Sequence, residues 1–175
     1  ALYWIDAPLG EVWTWDMVRP TYRRIVGTTT TLGCVAIKQS EVPGSIVLAG
    51  ENAFLEMTMS ATSSTDFATT GPSKILCPRP EQTDVTRPND GRVDRQGRFV
   101  FGMYNNYHRS PVGECNTCGI YRLNDRCEIE SILPKDEADL RYRVSNCISF
   151  SPNGDSMYFC DTPTRKIYAF DYGAN

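Results

Sequence analysis

One histidine in 175 residues leaves little room for the commonest hydrolytic chemistry. A Ser-His-Asp or Cys-His nucleophile system would have to use His108. That residue sits in YNNYHRSPVG, where no serine or cysteine forms a recognisable nucleophile elbow, and it reads as a surface histidine. The close cysteine pair of CNTC, Cys115 and Cys118, lacks the second CxxC of a zinc ribbon. It also precedes the strand-like GIYRL, whereas a redox pair would sit between a strand and a helix. Two small residues at a strand start are the plainer reading. No dinucleotide, P-loop or HExxH motif is present.

Oxygen donors offer more. Asn89, Asp90 and Asn146 each stand at the opening of a strand-like unit. Buried amides need partners, and carbonyl, carboxylate and water oxygens suit a hard cation. The sequence NDG is equally a good turn by itself. The residues alone leave both readings open.

The elements that must position these residues announce themselves by repetition. LYWIDAPLGEVWTWD aligns without a gap on MYFCDTPTRKIYAFD, from Leu2 on Met157 to Asp16 on Asp171. Each copy alternates bulky apolar residues, breaks at a proline-containing turn and alternates again, which is a β-hairpin pattern. In the first copy Tyr3 and Ile5 share one side, Leu2 and Trp4 the other. A second pair of equivalent pieces begins at Asn89 and Asn146, with turns at Gly97 and Gly154. Further strands are expected around Pro43-Gly44 and Glu51-Asn52, and in GIYRLNDRCEIESIL. Cys147 and Cys160 fall on apolar strand positions and are expected to pack.

Strand after strand, in units of roughly 50 residues, predicts an all-β chain of the β-propeller class. About three blades of four-stranded antiparallel sheet fit into 1–175. A closed propeller needs about four blades, so the expectation is a partial domain whose open edges could self-associate. Three segments lie outside the pattern. The basic run RPTYRR (Arg19 to Arg24) reads as a solvated loop, Ser60 to Lys74 as a polar connection, and Pro134 to Val144 as a charged loop.

Composition excludes some partners. A net charge of −3 indicates neither nucleic acid nor a polyanion as ligand. No apolar run reaches the ~18 residues of a membrane span, and the opening residues lack the layout of a signal peptide. Seven cysteines cannot all pair within one chain, and no N-x-S/T acceptor occurs. Both point to a reducing compartment, and the expected location is cytoplasmic.

RPNDGRVDRQGRFVFG and SNCISFSPNGDSMYFCDTPTRKIYAFDY closely resemble the gluconolactonase family, which includes regucalcin and luciferin-regenerating enzyme. With the opening LYWID, these motifs span nearly the whole chain. The resemblance implies a six-bladed propeller with one divalent metal, Ca²⁺ or Zn²⁺, in its channel. It also implies hydrolysis of sugar lactones or similar esters, with the metal polarising the carbonyl or activating water and a carboxylate as base.

Carried over position by position, Asn146 matches the family's metal-ligating asparagine. Asn89 matches the asparagine beside the metal that contacts substrate, and Arg87 the arginine that binds substrate hydroxyls. Asp90 is a supporting residue. The departures are as specific. The family's glutamate ligand lies upstream of Ala1, and its aspartate ligand and proposed base lies beyond Asn175, so no catalytic residue is assigned here. Tyr107 stands where a substrate-contacting glutamate is expected, and Cys147 where a glycine is usual. The expectation is the middle part of a metal-dependent lactonase, inactive as this chain alone. The alternative is a non-catalytic calcium- or ligand-binding propeller.

Overall fold

Period-two alternation decides most of the elements in the computed structural model, which describes residues 2–18, 21–25, 30–39, 44–61, 67–69, 73–81, 85–105, 118–133 and 142–173. Among these residues the regular structure is β apart from one 3-10 turn, and the chain divides into two compact units, Ala1–Pro78 and Arg79–Asn175.

In the first unit, β1 (Leu2–Asp6) and β2 (Glu11–Asp16) form the expected hairpin, with Leu2 opposite Trp15 and Asp6 opposite Glu11. Tyr3 and Ile5 pack with Val12 on a core shared with Leu32, Ile46, Leu48 and Met57. On the other face Trp4 and Trp13 stack, ring centroids 6.2 Å apart. The basic run expected as a loop instead contributes β3 (Thr21–Ile25), which pairs antiparallel with β2. Its backbone completes a ladder, a demand that side-chain charge does not cancel.

β4 (Leu32–Ile37), β5 (Ser45–Gly50) and β6 (Ala53–Ala61) follow as an antiparallel meander. β7 (Phe67–Thr69) folds back on the end of β6, and β8 (Lys74–Pro78) pairs with the start of β6. The polar segment from Ser60 to Lys74 is therefore more than a connection. Through one parallel pair, Ile25 with Phe67, β7 also joins β3, so the strands of this unit form one continuous sheet.

The second unit holds two antiparallel meanders. β9 (Thr86–Val93), β10 (Phe99–Asn105), β11 (Ile120–Leu123) and β12 (Ile129–Leu133) form one. β13 (Ser145–Phe150), β14 (Ser156–Asp161) and β15 (Lys166–Asp171) form the other. Their facing sides share one core: Val100, Ile120 and Leu133 from the first, Ile148, Met157 and Phe159 from the second, with Tyr142 and Tyr172 beside them. The turns at Gly97 and Gly154 have φ of +84° and +81°, where a side chain would be strained. These antiparallel sheets are those of the propeller class predicted above. Among the described residues no helix is long and apolar enough to cross a membrane.

The charged segment 134–144 is described only from Tyr142 onwards. Tyr142 and Val144 are buried, and the Tyr142 ring meets Phe159 edge-on at 4.7 Å. The end of that segment is thus core.

Candidate functional site

The site is built where the start of β13 lies against the β9–β10 hairpin. Two backbone ties hold that start in place. Tyr104 of β10 bridges Val144, and Asn105 N–H donates to Arg143 O at 2.9 Å. Gly102 permits the close approach, since a methyl group there would lie 2.2 Å from Ser145 Cβ. With Ser145 pressed against bare backbone, the side chains that flank it come within reach of β9.

Asn89 and Asn146, 57 positions apart, are in direct contact. Asn89 Nδ2 donates to Asn146 Oδ1 at 2.8 Å and to Ser145 O at 3.0 Å. Arg87 Nη1 donates to Pro88 O at 2.9 Å and to Asn89 Oδ1 at 3.4 Å, while its guanidinium lies 4.5 Å over the Tyr104 ring. On the far side Asn146 Nδ2 donates to Thr162 Oγ1 at 2.7 Å. Three of the residues singled out in the sequence, Arg87, Asn89 and Asn146, are therefore brought together, all of them half-buried. Tyr107, the fourth, lies outside the described residues, as do His108 and Cys115.

Asp90 supports the site from behind. One of its oxygens accepts Gly91 N–H at 2.9 Å and the other accepts Ile148 N–H at 3.0 Å, so it staples β9 to β13. Cys147, expected to pack, does not. It is exposed and takes φ = +57°, at the register shift that β13 makes between Asn146 and Ser149. A glycine would adopt that conformation freely; here a thiol bears it. Cys160 is half-buried, and Cys118 is fully buried just ahead of β11.

A second network fixes the β9–β10 turn. Asp94 Oδ1 accepts Gln96 N–H and Arg98 N–H, and its Oδ2 accepts Arg98 Nε at 2.7 Å and the Tyr172 hydroxyl at 2.6 Å. Burial pushes the Asp94 carboxyl up. The hydrogen bonds from Tyr172, Arg98 and Gln96 outweigh burial and hold it below the ordinary carboxylate value. Burial, then the bond to Asp94, pushes the Tyr172 phenol up to about 12.

Asp161, fully buried at the end of β14, uses Oδ1 to accept both Arg143 N–H at 2.9 Å and Val144 N–H at 3.0 Å. Its other oxygen has no partner among the described residues. Neither has the hydroxyl of Ser145, which lies directly opposite in the ladder.

Amide oxygens are neutral, hard donors, and that of Asn146 fits a divalent cation such as Ca²⁺ as part of a ligand set, whereas that of Asn89 faces the Arg87 guanidinium. Asn146 Oδ1 keeps a second lone pair beyond its bond from Asn89. Among the described residues no three His, Cys, Asp or Glu side chains gather to complete such a set. Sequence reasoning missed Gly102, Tyr142 and Thr162. The first two act through tertiary contact. Thr162 lay within the second copy of the hairpin repeat and could have been weighed as a polar residue at its turn.

The family model described as SMP-30/Gluconolactonase/LRE-like region matches residues 1–175. An L-arabinolactonase of Azospirillum brasilense is 32% identical over 98% of this chain and 50% of its own length. Regucalcin of Xenopus laevis is 28% identical over 98% of this chain and 51% of its own. Among solved structures, a luciferin-regenerating enzyme superposes with a TM-score of 0.80 at 19% identity, covering 98% of this chain and 52% of that one. A calcium-binding regucalcin of Agrobacterium tumefaciens gives 0.75 at 17%, covering 98% and 50%. The chain spans about half the length of the relatives it matches.

Proposed function

We propose that this chain, which belongs to the SMP-30/gluconolactonase/LRE-like family, is part of a metal-dependent hydrolase of sugar lactones. The observation that carries the reading is the 2.8 Å contact between Asn89 and Asn146 with Arg87 beside it. Two amides and a guanidinium at one end of adjacent sheets make a polar constellation that packing alone does not require. The L-arabinolactonase relative supports the same substrate class.

In this reading Asn146 Oδ1 would be a ligand to Ca²⁺ or Zn²⁺, with Asn89 next to it. An ion held there would supply Lewis acidity towards a lactone carbonyl or a water. Arg87, its plane already set by the Tyr104 ring, donates to ring or chain hydroxyls of the sugar. Asn89 presents its amide to the same substrate and fixes the Asn146 oxygen. Asp90 holds β9 and β13 at the spacing that keeps both asparagines in register.

The test is a thermal melt in EDTA and then in Ca²⁺ or Zn²⁺, together with a sugar-lactone hydrolysis assay of the intact protein. A melting temperature that metal raises in the native sequence but not in Asn146→Ala, with metal-dependent hydrolysis, is expected. A metal response without hydrolysis would favour a calcium-binding protein instead. No response to either metal would overturn the assignment of Asn146.

A further inference from the structure

The hydrogen bonds at the site run in one direction. Arg87 donates to Asn89 Oδ1, Asn89 Nδ2 donates to Asn146 Oδ1, and Asn146 Nδ2 donates to Thr162 Oγ1 at 2.7 Å. An amide has one donor end and one acceptor end, so whatever accepts from Nδ2 decides where Oδ1 points. At Asn146 the acceptor is Thr162.

Thr162 is itself held by the backbone on several sides. Its N–H donates to Val144 O at 3.2 Å, and the preceding Asp161 carboxylate accepts the N–H groups of Arg143 and Val144. Thr162 starts the 3-10 turn Thr162–Thr164, with Pro163 in its first positions. That turn closes on Arg165, whose φ of +57° lets its N–H reach both Asp161 O and Thr162 O. Thr164 Oγ1 adds a bond to Asp161 O at 3.0 Å. The β14–β15 turn and the entry to β13 are thereby tied together, with the Thr162 hydroxyl projecting from the turn onto the Asn146 amide.

We infer that Thr162 is a positioning residue, which fixes the Asn146 amide with its oxygen turned towards Asn89 and so pre-sets that oxygen for a metal ion. The inference rests on the proposed metal-ligand role of Asn146, but the orientation of the amide can be read without any metal. Partners that orient a ligand in this way typically contribute 10–100-fold to metal affinity.

The experiment compares the native protein with Thr162→Val and Thr162→Ser. Thr162 is exposed, so replacing its hydroxyl by a methyl group of similar shape leaves the fold intact. In ¹⁵N-labelled protein the side-chain NH₂ resonances of Asn146 should move towards solvent-exposed values in Thr162→Val and return in Thr162→Ser. The dissociation constant for Ca²⁺ or Zn²⁺ alone should rise about tenfold in the valine variant and recover in the serine variant. Unmoved resonances in Thr162→Val overturn the positioning role. Moved resonances with an unchanged dissociation constant overturn its link to the metal. If the native protein takes up neither ion, the lactonase reading falls, and the resonances still decide whether Thr162 sets the amide.

Discussion

The two hairpins that supply the asparagines, β9–β10 and β13–β14, start from one pattern and are finished differently. Both carry an asparagine in their first strand, Asn89 in one and Asn146 in the other, and turn at a glycine of positive φ, Gly97 and Gly154. Both close the turn with matching backbone bonds, Gly97 N–H to Asp94 O and Gly154 N–H to Ser151 O. In the first the turn is locked by a buried carboxylate with four hydrogen bonds, and Asp90 at the inner end reaches across to its neighbour. In the second the turn is held by Ser151 with Asp155, and the inner end carries the left-handed Cys147 and a register shift. The first hairpin is held by ladder and turn bonds. The second departs from the ladder beside Asn146, where Cys147 takes a positive φ.

The largest effect should come from the contact that brings the two hairpins together. Gly102→Ala puts a methyl carbon 2.2 Å from Ser145 Cβ, so β13 must move away from β10. Overpacking against the Ser145 side chain should destabilise by about 3 kcal/mol, read in urea unfolding. The displaced β13 should also carry Asn146 out of reach of Asn89 and abolish any metal response. A variant as stable as the native protein would mean that the close approach is not needed.

A smaller effect tests the charged lock. Tyr172→Phe removes one hydrogen bond to the Asp94 carboxylate, a loss of about 2 kcal/mol. Ser151→Ala in the other turn should lose about 1 kcal/mol, the value of a neutral bond. The pH dependence separates them further. The Tyr172 pKa is raised, so its contribution is complete below 10 and is lost as pH climbs towards about 12. Asp94 is lowered, so its contribution is complete above its ordinary value near 3.8 and is lost as pH falls through the depressed one. Tyr172→Phe should remove this share of the alkaline loss, whereas Ser151→Ala should keep it. Equal alkaline unfolding in both variants would remove Tyr172 from the account.

How much of this was legible beforehand follows from which forces are local. The β1–β2 repeat predicted the β14–β15 ladder residue for residue: Leu2 faces Trp15 as Met157 faces Phe170, and Asp6 faces Glu11 as Asp161 faces Lys166. Gly10 and Arg165, the same turn position in the two copies, both take positive φ. Alternation and turn chemistry are written in neighbouring residues. Asn89 and Asn146 were legible through the family motifs, and in the structure their side chains touch. β3 was not legible, because a strand can draw on a partner's backbone whatever its own side chains suggest. Nor was Tyr142, whose charged surroundings in sequence say nothing of the Phe159 ring it meets in space. Thr162 escaped for a related reason: its role is a bond to Asn146, sixteen residues away.

The smallest effect addresses the strained limb alone and has the opposite sign. Cys147 holds φ = +57°, a conformation that costs a non-glycine residue roughly 1–2 kcal/mol. Its side chain is exposed, so little packing is lost when it is removed. Glycine loses some of that gain through its freer unfolded chain, which leaves Cys147→Gly more stable by about 0.5–1 kcal/mol. Ile148 N–H stays bonded to Asp90 in either case, so the position of β13 against β9 should not change. A rise in the unfolding midpoint, with the Asn146 amide resonances unmoved, is the expected result. A fall would mean that the thiol makes a contact worth more than the strain, and the second hairpin would then be bent by packing at Cys147 rather than in spite of it.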